Sequence, residues 1–578
     1  MKMANEEESF LWENYEDCLS DVPSNYENCD SLSDSDFNSF SDSDLDDSPL
    51  NNKKRSHLMQ AQSSDSDEKD DDPLDWSDDD SPRNNEPFEG LPGIKALPTC
   101  LESVEQVTKL YFTDDLFETI VIETNKYYAR NSHKYTATKS TGRWNDLTVP
   151  ELKKWFGLII IMGLVRKSKL IDYWSTNPII ETPIFSKVMS RNRFRQILSC
   201  LHFSDNDNMP RNVDRLFKVQ SIIDHFKEKF NEVYKPMQKL LLEEDIIPWR
   251  GRQNFQVYNP FKITKYGILI RMLCESSTGY VCNFDIYSGT KNSLESTIWG
   301  LVSNISNMWY HIYMDNYYNS VEIAKQLLLK KIKVCGTIRA NKGLPLCLRK
   351  SKLSVFETRF KRQGEVLIQL WKNDKKRDIR MISTIHNSDV INTGIINRKT
   401  GLHIQKPKCI IDYDQHMKGV DRADRYIACY PIFRKSQKWT KRVALYLFNC
   451  GLFNAFKVYQ SINRNSKLKF KGFLESIATA WIEDKTVLRL DSNLDIIPST
   501  SGTSSPTRAP RFDSLQRFSG DLRQHQLVKI PGNSKRIRRR CKVCYSNKVR
   551  KETSYMCKHC KVPLHIGECF NSYHLKEH

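Results

Sequence analysis

Apolar residues recur at helical spacing through the first third of the folded chain: Val104, Val107 and Leu110, then Leu152, Trp155, Phe156 and Ile159, then Phe217, Ile222, Ile223, Phe226 and Phe230. This predicts a mostly α-helical block over 93–239. From about 240 to 339 the period changes to two. Strands are predicted over 268–274 and 280–287, separated by the turn-rich Glu275-Ser276-Ser277-Thr278-Gly279. A helix near 293–305, an aromatic and β-branched strand ending at Asp315, a helix over 320–330 and a strand over 334–338 follow. Three strands and then alternating helix and strand is the path of an RNase H-like α/β core, assigned to 240–345 and 409–431. Strand-like pieces at 365–371 and 379–385, set among Lys and Arg, predict a β-rich insertion over 346–408. Helices over 441–461 and 470–483 supply a second part of the helical body, 432–495. The run Pro498-Ser499-Thr500-Ser501-Gly502-Thr503-Ser504-Ser505-Pro506 marks a flexible linker over 496–534, before a Cys/His-rich end at 535–578.

Charge divides the chain. Its 578 residues carry a formal +18, but the first 80 hold 25 Asp or Glu against 5 Lys or Arg. The tail is therefore near −20 and the rest near about +38. Residues 1–92, rich in Ser, Asp and Asn, read as a disordered acidic tail. Serines followed by acids, as in 41–47 and 63–68, suit an acidophilic kinase as partner, and the tail would then compete with DNA for the basic body; a plain solubilising tail is the alternative. A basic body of this size selects a polyanion, because neutralising phosphates releases condensed counterions. Arg166, Lys167, Lys169, Arg191, Arg193 and Arg195 in the helical block are candidates to meet phosphates, against the reading of a solvated helix face.

The start lacks an apolar signal region, and the longest apolar run, 156–165, is about half of what a bilayer requires, so no membrane role is expected. Of 16 cysteines, eleven are scattered through the first 450 residues and five crowd the end beside histidines. That distribution fits a reducing compartment, nucleus or cytosol, with one metal module.

Two constellations carry chemistry. Asp315 closes its strand, and Asp421 and Asp424 stand three apart on one helix face. Clustered carboxylates bind Mg²⁺ or Mn²⁺ through hard oxygens, and two such ions stabilise the attacking and leaving oxygens of a phosphodiester. In an RNase H-like core the first strand neighbours the fourth, so an acid from Leu242-Glu243-Glu244-Asp245-Ile246-Ile247 should stand beside Asp315. A salt bridge or helix cap is the bland alternative for these acids.

Five motifs in order resemble piggyBac-type transposases of the bat-element-like branch: Pro248-Trp249-Arg250-Gly251-Arg252, Lys265-Tyr266-Gly267-Ile268, Leu273-Cys274-Glu275-Ser276, Met314-Asp315-Asn316-Tyr317-Tyr318-Asn319-Ser320 and His416-Met417-Lys418-Gly419-Val420-Asp421-Arg422-Ala423-Asp424. The resemblance spans nearly the whole length. It implies a homodimeric cut-and-paste enzyme that nicks double-stranded DNA at transposon ends, attacks with the freed 3′ hydroxyl, forms hairpins and inserts at TTAA. The flanking helices would serve dimerisation and DNA binding. Of the family's three aspartate ligands, the second falls on Asp315 and the third on Asp421, with Asp424 as the supporting acid. The first falls on Glu243, a departure that implies impaired cleavage, because the extra methylene displaces the carboxylate by roughly an ångström and Mg²⁺ demands near-octahedral geometry. Asp245, on the same strand face, would replace it only with a shifted strand. Arg250, Arg252 and Lys265 in the matched motifs, with Arg434, Lys435 and Trp439 after the third acid, are the DNA-contact candidates; a buried anchor is the alternative for Trp439.

The second constellation is Cys541, Cys544, Cys557, Cys560, His565, Cys569 and His574. Paired Cys-x2-Cys knuckles hold tetrahedral zinc, and seven ligands exceed one site. His578 is assigned the eighth place, with His559 as the alternative, giving two structural Zn²⁺ in a cross-brace. The resembling family ends in such a domain, which recognises element-end DNA. Arg538, Arg539 and Arg540 precede it and suit nuclear import or phosphate binding. The leading reading is a nuclear, transposase-derived DNA-binding protein with reduced cleavage. An active transposase that tolerates Glu243 is the second, and a zinc-module chromatin reader or ubiquitin ligase is the weakest.

Overall fold

The computed structural model describes residues 76–483 and 525–575, apart from 81–85, 135–143, 206–213, 252, 254, 261, 290–292, 374–376, 397–402, 418, 433–437, 531–537 and 548. The chain divides into one unit ending at Asp491 and a second from Ser492 to His578. The acidic tail up to 75 and the stretch 484–524 lie outside the described residues. No described helix is long and apolar enough to cross a membrane.

Several helices of the first unit begin where a hydroxyl satisfies a free backbone N–H. Thr113 caps Asp114–Asn131 by accepting from the Leu116 amide, Thr148 caps Val149–Leu164 from Glu151, and Ser190 caps Arg191–Cys200 from Arg193. Helix Trp439–Ile462 is buried on nearly every side and returns to this block. Phe448 stacks on Phe156 at 4.5 Å and meets Phe112 and Phe226 edge-on or tilted, each at 5.4 Å. Helix Phe470–Ile482 brings Trp481 against Phe112 and Phe117. The two helical segments, far apart in sequence, thus share one aromatic core.

After β1 (Gly93–Ile94) pairs with β2 (Tyr234–Lys235), the main sheet starts with β3 (Lys239–Pro248). It continues through β4 (Gln256–Tyr258), β5 (Tyr266–Glu275), β6 (Val281–Ile286), β7 (Tyr310–Met314) and β8 (Ile332–Thr337). β3 lies antiparallel to β5 and parallel to β7, and β7 is parallel to β8, so the first strand stands beside the fourth as expected.

Strands of the expected β-rich insertion join the main sheet. β9 (Thr358–Gln363), β10 (Val366–Lys372) and β11 (Asp378–Ser383) extend the same one, because Met381, Ile382 and Ser383 of β11 pair with Thr337, Gly336 and Cys335 of β8. The bare backbone edge of β8 would otherwise lack partners. Among the described residues the sheet thus runs over nine strands, and of the strands in this stretch β12 (Val390–Ile396) and β13 (His403–Pro407) pair as a ribbon of their own.

The end of β7 is fixed by Asn319. Its buried amide donates to the carbonyls of Met314 at 2.9 Å, Asp315 at 3.2 Å and Thr337 at 3.0 Å, tying β7 to β8 just where Asp315 emerges. Gly336 permits this approach, since a Cβ there would lie 1.8 Å from the Met314 carbonyl oxygen. Asn319→Leu should remove the side-chain donor from all three carbonyls, the Asp315 carbonyl alone keeping the backbone amide of residue 319 at 3.3 Å, at a cost of about 1–3 kcal/mol for each buried group left without a partner. Chemical denaturation of the full chain is the check, and a loss below about 0.5 kcal/mol, the usual range of a surface change, would contradict the clamp.

Candidate active site and zinc centre

Glu243 and Asp315 reach the same place from neighbouring strands. Leu242 of β3 pairs with Met314 of β7, so the next residues in register bring Glu243 level with Asp315. Asp315 accepts from the Tyr317 amide at 2.9 Å. Burial, and then the negative charge of Glu244, push its carboxyl above the usual range, although backbone donors oppose them. Glu244, not singled out from the sequence, points its carboxylate at the Tyr318 hydroxyl, 3.2 Å away, and at Asn259.

Asp421 lies in the helix Gly419–Cys429. The approach of that helix to the sheet is fixed by Gly419, where a Cβ would lie 2.4 Å from Leu241 Cδ2 and 2.9 Å from the Glu275 carbonyl oxygen. The preceding helix, Lys408–His416, is tied to the sheet by polar contacts: the Tyr313 hydroxyl donates to Asp412, Lys239 Nζ lies 2.8 Å from His416 Nε2, and Ser276 Oγ lies 2.9 Å from His416 Nδ1. These bonds, with the close approach of Gly419 to Leu241, set the start of the helix that carries Asp421 over β3, two residues before Glu243.

Glu243 already has a cation. Lys262, from the loop between β4 and β5, places Nζ 2.6 Å from Glu243 Oε1, and both side chains are largely buried. Nothing in the local sequence marked Lys262, which stands 19 residues downstream in an irregular stretch. Asp245 is no substitute ligand: it is 1 % exposed, accepts from the Ile246 amide and the Tyr446 hydroxyl, and shares a hydrogen bond with Asp424, itself buried.

Burial pushes the Asp245 carboxyl up. A folded-state pKa above the unfolded one gives stability below the ordinary value of about 3.9 that is lost as pH rises toward the elevated value. Asp245→Asn should erase that loss, so its melting temperature should match the natural chain near pH 4 and exceed it increasingly toward pH 7. Parallel melting curves at every pH would count against a protonated Asp245.

Several basic residues hold the fold together. Arg193 pairs with Glu151 at 2.6 Å and lies over Trp144, and Arg166 donates to the carbonyls of Ala428 and Cys429. Trp439 starts its helix half-buried, with its ring edge-on to Phe255 at 5.2 Å. Arg250 and Lys265 are exposed, whereas Arg252, Arg434 and Lys435 lie outside the described residues.

In the second unit the seven expected ligands gather into two clusters. Cys541, Cys544, His565 and Cys569 form one; Cys557, Cys560, His574 and His525 form the other, with all ligand atoms of a cluster within 4.8 Å of one another. The eighth place is therefore taken by His525 and not by His559. His578 lies outside the described residues. His525 comes from the stretch assigned to the linker, just before β14 (Leu527–Lys529), and β14 pairs with the later Tyr555–Cys557, which brings His525 beside Cys557.

Within the clusters Cys544 and Cys569 Sγ are 3.7 Å apart, and sulfur-to-imidazole distances run from 3.3 Å for Cys560–His525 to 3.7 Å for Cys557–His525. A zinc tetrahedron with Zn–S of about 2.3 Å and Zn–N of about 2.0 Å has edges of about 3.8 and 3.5 Å, so the donors fit zinc. The remaining imidazole nitrogens are oriented from behind: His565 Nε2 lies 3.1 Å from the Glu552 carbonyl and His574 Nδ1 2.8 Å from that of Phe570. The ligand pairs interleave along the chain, which is the cross-brace arrangement. Arg539 and Arg540 pair as a strand with Glu552 and Thr553 at its edge, and Arg538 and Arg540 are exposed.

Comparison with known proteins agrees with this architecture. The profile described as Transposase IS4 matches residues 108–456, more than half of the chain, and that of a DDE_Tnp_1-like zinc finger matches 522–575, a span that includes His525. Human PiggyBac transposable element-derived protein 3 is 23% identical over 82% of this chain and 77% of its own length. Human PiggyBac transposable element-derived protein 2 is 24% identical over 84% and 78%. In structure, the chain matches a piggyBac transposase solved by cryo-EM as a synaptic complex with hairpin DNA, with a TM-score of 0.62 and 24% identity over 82% of this chain and 100% of that one. The chain belongs to the Transposase IS4 family, as a piggyBac transposase-derived protein with a C-terminal zinc finger.

Proposed function

We propose that this protein is a nuclear, DNA-binding descendant of a metal-dependent cut-and-paste transposase in which strand cleavage is impaired at Glu243. The observation that supports this most is the Lys262–Glu243 ion pair. The divalent metal that the family implies would be held by Asp315 and Asp421 with Glu243, and it would polarise the scissile phosphodiester and lower the pKa of the attacking hydroxyl. Carboxylates on adjoining elements suit a hard cation. At Glu243 the fit is compromised at one oxygen: an ammonium group neutralises Oε1 from within hydrogen-bonding distance, and a metal bound at that oxygen would stand beside a second cation. Transposon ends are the expected DNA and TTAA the expected target, bound by a homodimer whose zinc fingers and Arg538–Arg540 grip the duplex. An acidophilic kinase acting on the acidic tail belongs to the same reading.

A working transposase that tolerates Glu243 is the second reading, and the register that sets Glu243 level with Asp315 favours it. Nicking of end-mimic duplexes in Mg²⁺ or Mn²⁺, by the natural chain beside Glu243→Asp, separates the two. Equal nicking by both would overturn impairment. Binding to the same duplexes with scrambled ends tests end recognition, and the position of a fluorescent fusion tests the nucleus.

A further inference from the structure

Although the tail up to 75 is not described, its last segment is. Trp76 packs against the main core, and Ser77 pairs in antiparallel fashion with Arg362 at the outer edge of the sheet: the Ser77 amide donates to the Arg362 carbonyl at 2.8 Å and the Arg362 amide to the Ser77 carbonyl at 2.9 Å. Lys361 then meets Asp78 at 2.8 Å. Asp80 closes the contact. Its Oδ1 accepts from Arg362 Nε at 3.0 Å and Nη2 at 2.7 Å, and its Oδ2 from the Ser388 amide at 2.6 Å.

The guanidinium is the unusual part. Arg362 is 2 % exposed, and its other donors go to the carbonyls of Glu365 and His386. A charge buried this far is stable only with a partner, and Asp80, more than 280 residues away in sequence, is the partner provided. Although burial opposes ionisation, the bonds from Ser388 and Arg362 hold the Asp80 carboxyl below its usual range. Three kinds of recognition therefore converge on five residues: strand addition at Ser77, a surface cation for Asp78 and a buried carboxylate clamp for Asp80.

We infer that the β9 edge with Arg362, Lys361 and Ser388 is a peptide-acceptor site for an extended acidic segment, and that its resident ligand is the chain's own Trp76–Asp80. The docked segment covers a strand edge that would otherwise be open to pairing with other chains, and it fixes Trp76–Asp80 beside the basic strand β9, which carries Arg359, Lys361 and Arg362. Charge complementarity and the buried clamp select this occupant. A neutral or basic strand would leave Arg362 without its carboxylate.

The test uses the full chain. In Asp80→Asn the site should open, and a labelled peptide spanning 74–82 should bind that variant at least tenfold more tightly than the natural chain, where the site is filled in cis. The same peptide carrying Asn at position 80 should bind neither. Equal binding to variant and natural chain, or no binding to either, overturns the inference. Hydrogen exchange in the natural chain supplies an independent measurement should the variant misfold: the amides of Ser77, Arg362 and Ser388 should exchange at least tenfold more slowly than unstructured chain. Free exchange at Ser77 and Ser388 would refute the docking whatever the variant does.

Discussion

Replacing His525 by Ala should lower the zinc content from two ions per chain to one and unfold half of the C-terminal cross-brace. The donor set of Cys557, Cys560 and His574 would be left with three ligands, and the position of the fourth falls to water. Structural zinc contributes about 10–16 kcal/mol to the folding of zinc-finger peptides near neutral pH, so even a partial loss of affinity exceeds what the small apolar core of this unit can supply. That core consists of little beyond Val543, Val562, Leu564 and Tyr573 packed among the cysteines. His559→Ala and His578→Ala should each keep two zincs. Metal analysis of the three purified variants decides the matter, and a chain that loses zinc with His578→Ala while His525→Ala keeps both would return the eighth place to the terminus. Under the proposed function, His525→Ala should also lose end-DNA affinity, as should the natural chain after zinc chelation.

The contrast between His525 and the other seven ligands shows where sequence reasoning holds. Cys-x2-Cys is a local signal, because two thiolates three residues apart can reach one ion from a single turn. His525 stands 16 residues before Cys541, ahead of the basic run and within a polar stretch, and only the pairing of β14 with Tyr555–Cys557 brings it to the metal. The core behaves alike. The strand before Asp315 and the strands near 268–287 were legible from their period, since a buried strand's composition is its own signature. That β11 would pair with β8, making the insertion part of the main sheet, was not legible, because strand pairing depends on a partner far along the chain. Lys262 belongs to the same class. A lysine in an irregular loop resembles any other solvated cation until the fold sets it against Glu243, and Asp245 resembled a spare ligand until helix Trp439–Ile462 delivered Tyr446 to it.

Glu243→Asp should nick end-mimic DNA at least about 100-fold faster than the natural chain, the penalty that a displacement near 1 Å at a reacting centre commonly carries. Shortening the side chain by one methylene draws the carboxylate back toward β3, away from Lys262 and level with Asp315, and removes the contact that now occupies Oε1. If the ammonium is what withholds the carboxylate, Lys262→Met in the natural background should recover part of the rate, and adding it to Glu243→Asp should gain little more, because the pair would already be broken. If geometry alone is at fault, Lys262→Met should leave nicking at the natural level while Glu243→Asp still restores it. Lys262→Met also bares a buried carboxylate, so it should lower thermal stability whichever of these holds, and that loss reports the pair independently of any cleavage. No cleavage by Glu243→Asp, in a chain that still melts cooperatively and binds its DNA, would move the defect away from β3 and toward Asp315 or Asp421.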